Sequence, residues 1–81
     1  MKVYVHLFGA AREKAGRNVI EVELREPAVV ADLAAKLLLH HTGLGGLLQT
    51  AAIAVDREFA KIDTPITEES EVALLPPVSG G

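Results

Sequence analysis

Apolar and polar residues alternate from the start of the chain. Val3, Val5 and Leu7 fall on one side of an extended backbone, and Lys2, Tyr4, His6 and Phe8 on the other. A period of two predicts a strand with one buried face. The other face is unusual because it carries Tyr4 and Phe8 and not only charges. Gly9 breaks the strand, and Ala10 to Ala15 predicts two short helical turns ended by Gly16. A second alternating strand follows, with Ile20, Val22 and Leu24 inward and Glu21, Glu23 and Arg25 outward. The short Gly16-Arg17-Asn18 link makes the two strands neighbours.

Glu26-Pro27 turns the chain, and from Val30 the period changes. Val30, Leu33, Ala34, Leu37, Leu38 and His41 fall on one helical stripe. Asp32 lies in the first turn, where a carboxylate suits the positive end of the helix dipole. No Ser, Thr, Asp or Asn stands at the cap position near Val29, so the helix entry is weakly specified. Thr42-Gly43 ends the helix, and Leu44 to Thr50 forms a glycine-loosened connection with room for a short helical turn. Ala52-Ile53-Ala54-Val55 resumes strand character and continues toward Phe59. Asp63-Thr64-Pro65 is a turn, and Thr67-Glu68-Glu69-Ser70 is a charged loop. The last strand runs from Glu71 to Leu75, with Val72 and Leu74 inward and Ala73 and Leu75 outward. The pattern predicts an α+β domain, a sheet covered on one face by a helix and open on the other.

The residues beyond the last strand organise the functional reading. Pro76-Pro77 lacks the N–H groups of a sheet ladder and stiffens the backbone toward polyproline II, and Val78-Ser79-Gly80-Gly81 completes the sequence. At roughly 3.3–3.6 Å per residue the stretch from Pro76 reaches at most about 20 Å from the body. It reads as a probe with a carboxylate at its tip, which divides the chain into a domain over 1–75 and an extended tail over 76–81. The sheet's open face predicts a dock near the root of that tail. Tyr4, His6, Phe8, Phe59, Ala73 and Leu75 form an apolar patch, with Pro76, Pro77, Val78 and Ser79 as further partner contacts.

Composition narrows the function classes. Eighty-one residues, 49% of them hydrophobic, suit one domain, burying roughly 60% of the unfolded surface. With no cysteine there is no disulfide, thiolate metal site or nucleophilic thiol. The net charge of −3, from 8 basic and 11 acidic residues, leaves no footprint for nucleic acid or an anionic membrane. No apolar run approaches the ~20 residues of a membrane span, and the alternating N-terminus is not a signal peptide. A soluble cytoplasmic protein is expected.

Other motifs carry no chemistry. Gly43-Leu44-Gly45-Gly46-Leu47-Leu48 has Leu48 where a dinucleotide fingerprint needs its third glycine, and it follows a helix instead of a strand. His40 and His41 point about 100° apart on a helix and do not clamp one metal. Asp56, Glu58 and Asp63 read as a solvated acidic edge, and Ser70 and Ser79 have no nucleophile elbow around them. No constellation makes the chain an enzyme by itself.

Over its whole length the sequence resembles the small subunits of molybdopterin synthase, sulfur carriers with the β-grasp (ubiquitin-like) fold. The matching residues are Leu7-Phe8-Gly9-Ala10-Ala11-Arg12-Glu13 with Gly16, Ala54-Val55-Asp56, Asp63-Thr64-Pro65-Ile66, Glu71-Val72-Ala73 and Pro76-Pro77-Val78-Ser79-Gly80-Gly81. Asp56 replaces a frequent Asn, Leu74-Leu75 a frequent aromatic pair, and Val29 a common capping Thr. Thiamine sulfur carriers look similar but generally lack the Pro-Pro lead-in. The resemblance implies a mixed sheet of four to five strands with one main helix on one face. It also implies that an ATP-dependent adenylating enzyme, resembling ubiquitin-activating enzymes, joins the Gly81 carboxylate to AMP. Persulfide sulfur then displaces AMP and leaves a thiocarboxylate. The carrier docks on the large synthase subunit, in a heterotetramer of two small and two large subunits, and gives its sulfur to cyclic pyranopterin monophosphate. AMP and sulfur are thus transient passengers, no cofactor is permanently bound and no metal is held. Gly80 and Gly81 suit a narrow partner tunnel because they lack Cβ. Sulfur delivery to thiamine or to tRNA thiolation, and ubiquitin-like conjugation to proteins, are the alternatives.

Overall fold

The structure is a computed structural model that describes residues 1–76. Strands β1 (Lys2–Leu7) and β2 (Val19–Glu23) flank the helix α1 (Gly9–Ala15) in sequence. They pair antiparallel, with Val5 opposite Ile20 and Val3 opposite Val22. Gly16 closes α1 at φ 73°, and its N–H donates to the Arg12 carbonyl. That left-handed position costs glycine little and other residues more. A short strand β3 (Ala28–Val29) leads into the main helix α2 (Val30–His40), which a 3₁₀ turn (Thr42–Leu44) joins to the four-residue α3 (Gly45–Leu48). Strands β4 (Ala52–Val55), β5 (Glu58–Phe59), β6 (Pro65–Ile66) and β7 (Val72–Leu75) complete the order.

The five-stranded sheet runs β2-β1-β7-β4-β5, and β3 with β6 makes a separate two-stranded ribbon. β1 and β7 are parallel and the other neighbours antiparallel, so the sheet is mixed. This is the β-grasp arrangement, with β7 in the middle of the sheet. Its inner face presents Val3, Val5, Leu7, Ile20, Val22, Val72 and Leu74 to Leu33 and Leu37 of α2, with Leu44 in the same core. Leu33 is fully buried, so Leu33→Ala is expected to lower unfolding stability by about 2–5 kcal/mol through lost burial and an unfilled cavity. Chemical denaturation checks this, and a loss below about 1 kcal/mol would mean that α2 is not the lid of the core.

Where the helix enters, Val29 has no side-chain oxygen to offer. The Asp32 carboxylate accepts the Val29 N–H at 2.8 Å, so Asp32 supplies half of a capping box as well as a charge at the dipole. The expected stripe is too wide. Ala34 is half-buried, Leu38 is 49% exposed, and His41 is a half-buried cap that has left helical geometry (φ −129°, ψ 64°). The narrow sheet receives only the Val30-Leu33-Leu37 ridge, and Leu38 lies on the flank beside Gly45 of α3.

The expected run from Ala52 through Phe59 as one strand is corrected. The backbone reverses at Asp56 (φ 53°) and Arg57 (φ 70°), and β5 returns antiparallel with Ala54 opposite Phe59. Positive φ at both loop residues matches the twist of a two-residue hairpin, and Asp tolerates that region better than most residues. The Asp56 carboxylate accepts the Glu71 N–H at 2.9 Å while the Asp56 N–H donates to the Glu71 carbonyl at 2.8 Å. The hairpin is thereby tied to the entry of β7. Among the described residues no helix is long and apolar enough to cross a membrane.

Candidate functional site

Side chains directly opposite each other on paired strands share a face, so the registers define the outer surface of the sheet. Val19 on β2 faces His6 on β1, His6 lies beside Ala73 on β7, Ala73 beside Ala54 on β4, and Ala54 beside Phe59 on β5. One row therefore crosses all five strands without a charged side chain. A second row is set by Leu75 opposite Ala52. One step beyond the Leu7–Leu74 pair, the same register brings Phe8, still extended at φ −131°, beside Leu75. Tyr4 lies on the same face next to Glu21.

The two rows have relief. Ala52, Ala54 and Ala73 form a shallow trough, while Tyr4 (50% exposed), Phe8 (48%) and Phe59 (80%) rise on either side. Leu75 is half-buried and His6 exposed. Tyr4, His6, Phe8, Phe59, Ala73 and Leu75 thus share one continuous surface opposite α2. Phe59 reaches it through its own strand β5 and not as the end of β4.

Among the described residues, carboxylates stand only at the border of this face. Glu21 lies 4.0 Å from the Lys2 ammonium and Glu71 3.9 Å from the Arg57 guanidinium. Exposed pairs of this kind contribute about 0–1 kcal/mol each, so they neutralise the rim more than they hold the fold.

The chain leaves this surface from its central strand. Pro76, half-buried, follows Leu75 directly, and a Cβ placed on Gly9 would sit 3.6 Å from the Pro76 Cγ. Gly9 has φ +53°, a conformation that side-chain-bearing residues rarely adopt. The turn after β1 therefore lets Pro76 lie close to the backbone at Gly9, where α1 begins. The other residues assigned to the tail, Pro77, Val78, Ser79, Gly80 and Gly81, lie outside the described residues.

Val19, Ala52 and Ala54 belong to the same face and escape notice in the sequence. Val19 is legible from the period of β2, two residues before Glu21. The two alanines become part of the surface only through pairing with β7, a register that no local pattern specifies.

Among the described residues no group of three or more His, Asp or Glu side chains is placed to hold a metal ion. His40 ends α2 in an exposed position and His41 is half-buried beside it, away from the open face.

Comparison with known proteins agrees with this architecture. The model of the ThiS family matches residues 5–81. The molybdopterin synthase sulfur carrier subunit of Chlamydomonas reinhardtii is 32% identical, with all of both chains covered. The crystal structure of small archaeal modifier protein 1 from Haloferax volcanii superposes with a TM-score of 0.87 at 26% identity, covering all of both chains. A chain in the complex of subunits 1 and 2 of molybdopterin-converting factor from Helicobacter pylori gives a TM-score of 0.73 at 28% identity, again with both chains fully covered. With the family match running from residue 5 to residue 81 and a full-length relative at 32% identity, this chain belongs to the ThiS family.

Proposed function

We propose that the chain is the sulfur-carrier subunit of a molybdopterin synthase, with Gly81 as the residue that bears the sulfur. The observation that carries this reading is the end-to-end match to a relative named as that subunit. The apolar open face at the root of residues 76–81 supports it, because a tail that enters a partner's site needs a dock beside its base.

A carboxylate is a poor acyl electrophile. In the proposed cycle an adenylating enzyme forms the Gly81 acyl-adenylate from ATP and releases pyrophosphate. A persulfide sulfur then attacks the acyl carbon, AMP leaves, and reduction of the resulting disulfide bond by a thiol frees the Gly81 thiocarboxylate. The carrier docks on the large subunit through Tyr4, His6, Phe8, Phe59, Ala73 and Leu75, and its tail delivers the thiocarboxylate to cyclic pyranopterin monophosphate. Two such deliveries supply the two sulfurs of the dithiolene. The chain acts as a tethered co-substrate, the catalytic groups belong to its partners, and the assembly is a heterotetramer of two small and two large subunits.

The likeness to a small archaeal modifier protein favours a second reading, in which the activated Gly81 is joined to lysine side chains of other proteins. Reconstitution separates the two. The chain is combined with its cognate adenylating enzyme, ATP, a persulfide donor, a reducing thiol and the large subunit, and conversion of the pterin precursor is followed. Dithiolene product is expected. Lysine conjugates without it would favour the modifier, and neither product would overturn both readings.

A further inference from the structure

We infer that docking through the open sheet face accepts only the neutral form of His6, so the chain's grip on its large subunit loosens in acid. The inference rests on the proposal that this subunit covers the face. His6 occupies the five-strand row between Val19 and Ala73. Along its own strand its same-face neighbours are Tyr4 and Phe8. On β2 the diagonal positions are Arg17 and Glu21, and on β7 they are Glu71 and Leu75. Diagonal neighbours lie roughly 7–8 Å away, beyond direct pairing. The two carboxylates among them already face cations, Glu21 beside Lys2 at 4.0 Å and Glu71 beside Arg57 at 3.9 Å. The helix α2 packs on the opposite face and presents nothing to this ring.

His6 is therefore the one ionisable member of a row otherwise made of Val19, Ala73, Ala54 and Phe59. A row with no fixed charge calls for an apolar surface opposite it, since a carboxylate placed there would itself be buried without a fixed counter-charge. Under such a surface an imidazolium loses its hydration, while a neutral imidazole loses less. Docking would then release a proton from any molecule that carries one. A free chain that takes up a proton at His6 must give it up on docking, so affinity drops in acid.

If docking excludes the proton, the dissociation constant should rise on the order of tenfold between pH 7.5 and 5.5. The test is titration of the cognate large subunit with the wild-type chain and with His6→Leu over this range. The variant removes a docking contact, so it is compared with itself across the range, and it is expected to lack the tenfold loss. Titrations of the large subunit's own groups appear in both series and cancel in their ratio. Parallel pH profiles, or tighter wild-type binding at pH 5.5, would overturn the inference and leave the carrier reading standing. Failure of the wild-type chain to bind at pH 7.5 would overturn the docking itself, and this inference with it.

Discussion

Adding one residue after Gly81 is expected to abolish sulfur transfer while leaving the thermal unfolding of the domain unchanged. The proposed reacting group is the Gly81 carboxylate, and an added residue turns it into an amide and moves the new carboxylate away by about 3.5 Å. Deleting Gly81 retracts it by the same step. Misplacement of roughly 1 Å already costs about 10²-fold in rate, so both changes fall below detection. Among the described residues the buried core ends at Leu74, before the tail begins, so the unfolding transition is expected to keep its midpoint. Transfer assays beside a melting curve check the pair of outcomes. An extended chain, verified as unprocessed, that still transfers sulfur would remove Gly81 from the mechanism.

Leu75→Glu is expected to weaken binding to the large subunit by at least about 30-fold, the equivalent of the 2 kcal/mol that marks an anchor at the centre of an interface. Leu75 lies where the alanine trough meets Phe8 and the root of the tail. A carboxylate there would be buried by the partner without a counter-charge. Phe8→Ala is expected to shift affinity in the same direction, through lost contact area and without a new charge. Neither side chain belongs to the buried core, so each variant should keep most of its stability. Calorimetric titration against the large subunit and a denaturation curve separate the two effects. Unchanged affinity in both variants would mean that the partner covers another face.

How far the fold is legible in the sequence depends on the length of each element. The period of two in β1 and β2 and the ridge of Val30, Leu33 and Leu37 each span enough residues to declare themselves, and they place the core correctly. β3, β5 and β6 are two residues long and carry no period. The hairpin at Asp56-Arg57 lacks the glycine that commonly announces such a turn, so the pattern reads as one strand running on to Phe59. Leu38 is misplaced by its period because a helical stripe says nothing of how wide a sheet lies beneath it.

The candidate site divides in the same way. Tyr4, His6, Phe8, Ala73 and Leu75 are given by alternation within single strands. Ala52 and Ala54 join them through the register of β4 on β7, a pairing between segments well apart in sequence. The contact of Gly9 with Pro76 is a tertiary fact that the glycine's position after β1 only hints at. The chemistry proposed for Gly80 and Gly81 rests on sequence pattern and resemblance alone, because both lie outside the described residues.

The most direct test of the central claim is the intact mass of the chain after incubation with its adenylating enzyme, ATP, a persulfide donor and a reducing thiol, with fragmentation to locate any change. The carrier reading requires exchange of one oxygen for sulfur at Gly81, dependent on ATP and reversed when the large subunit and the pterin precursor are added. An unchanged mass under conditions in which the adenylating enzyme is demonstrably active would contradict it, as would sulfur found anywhere but Gly81.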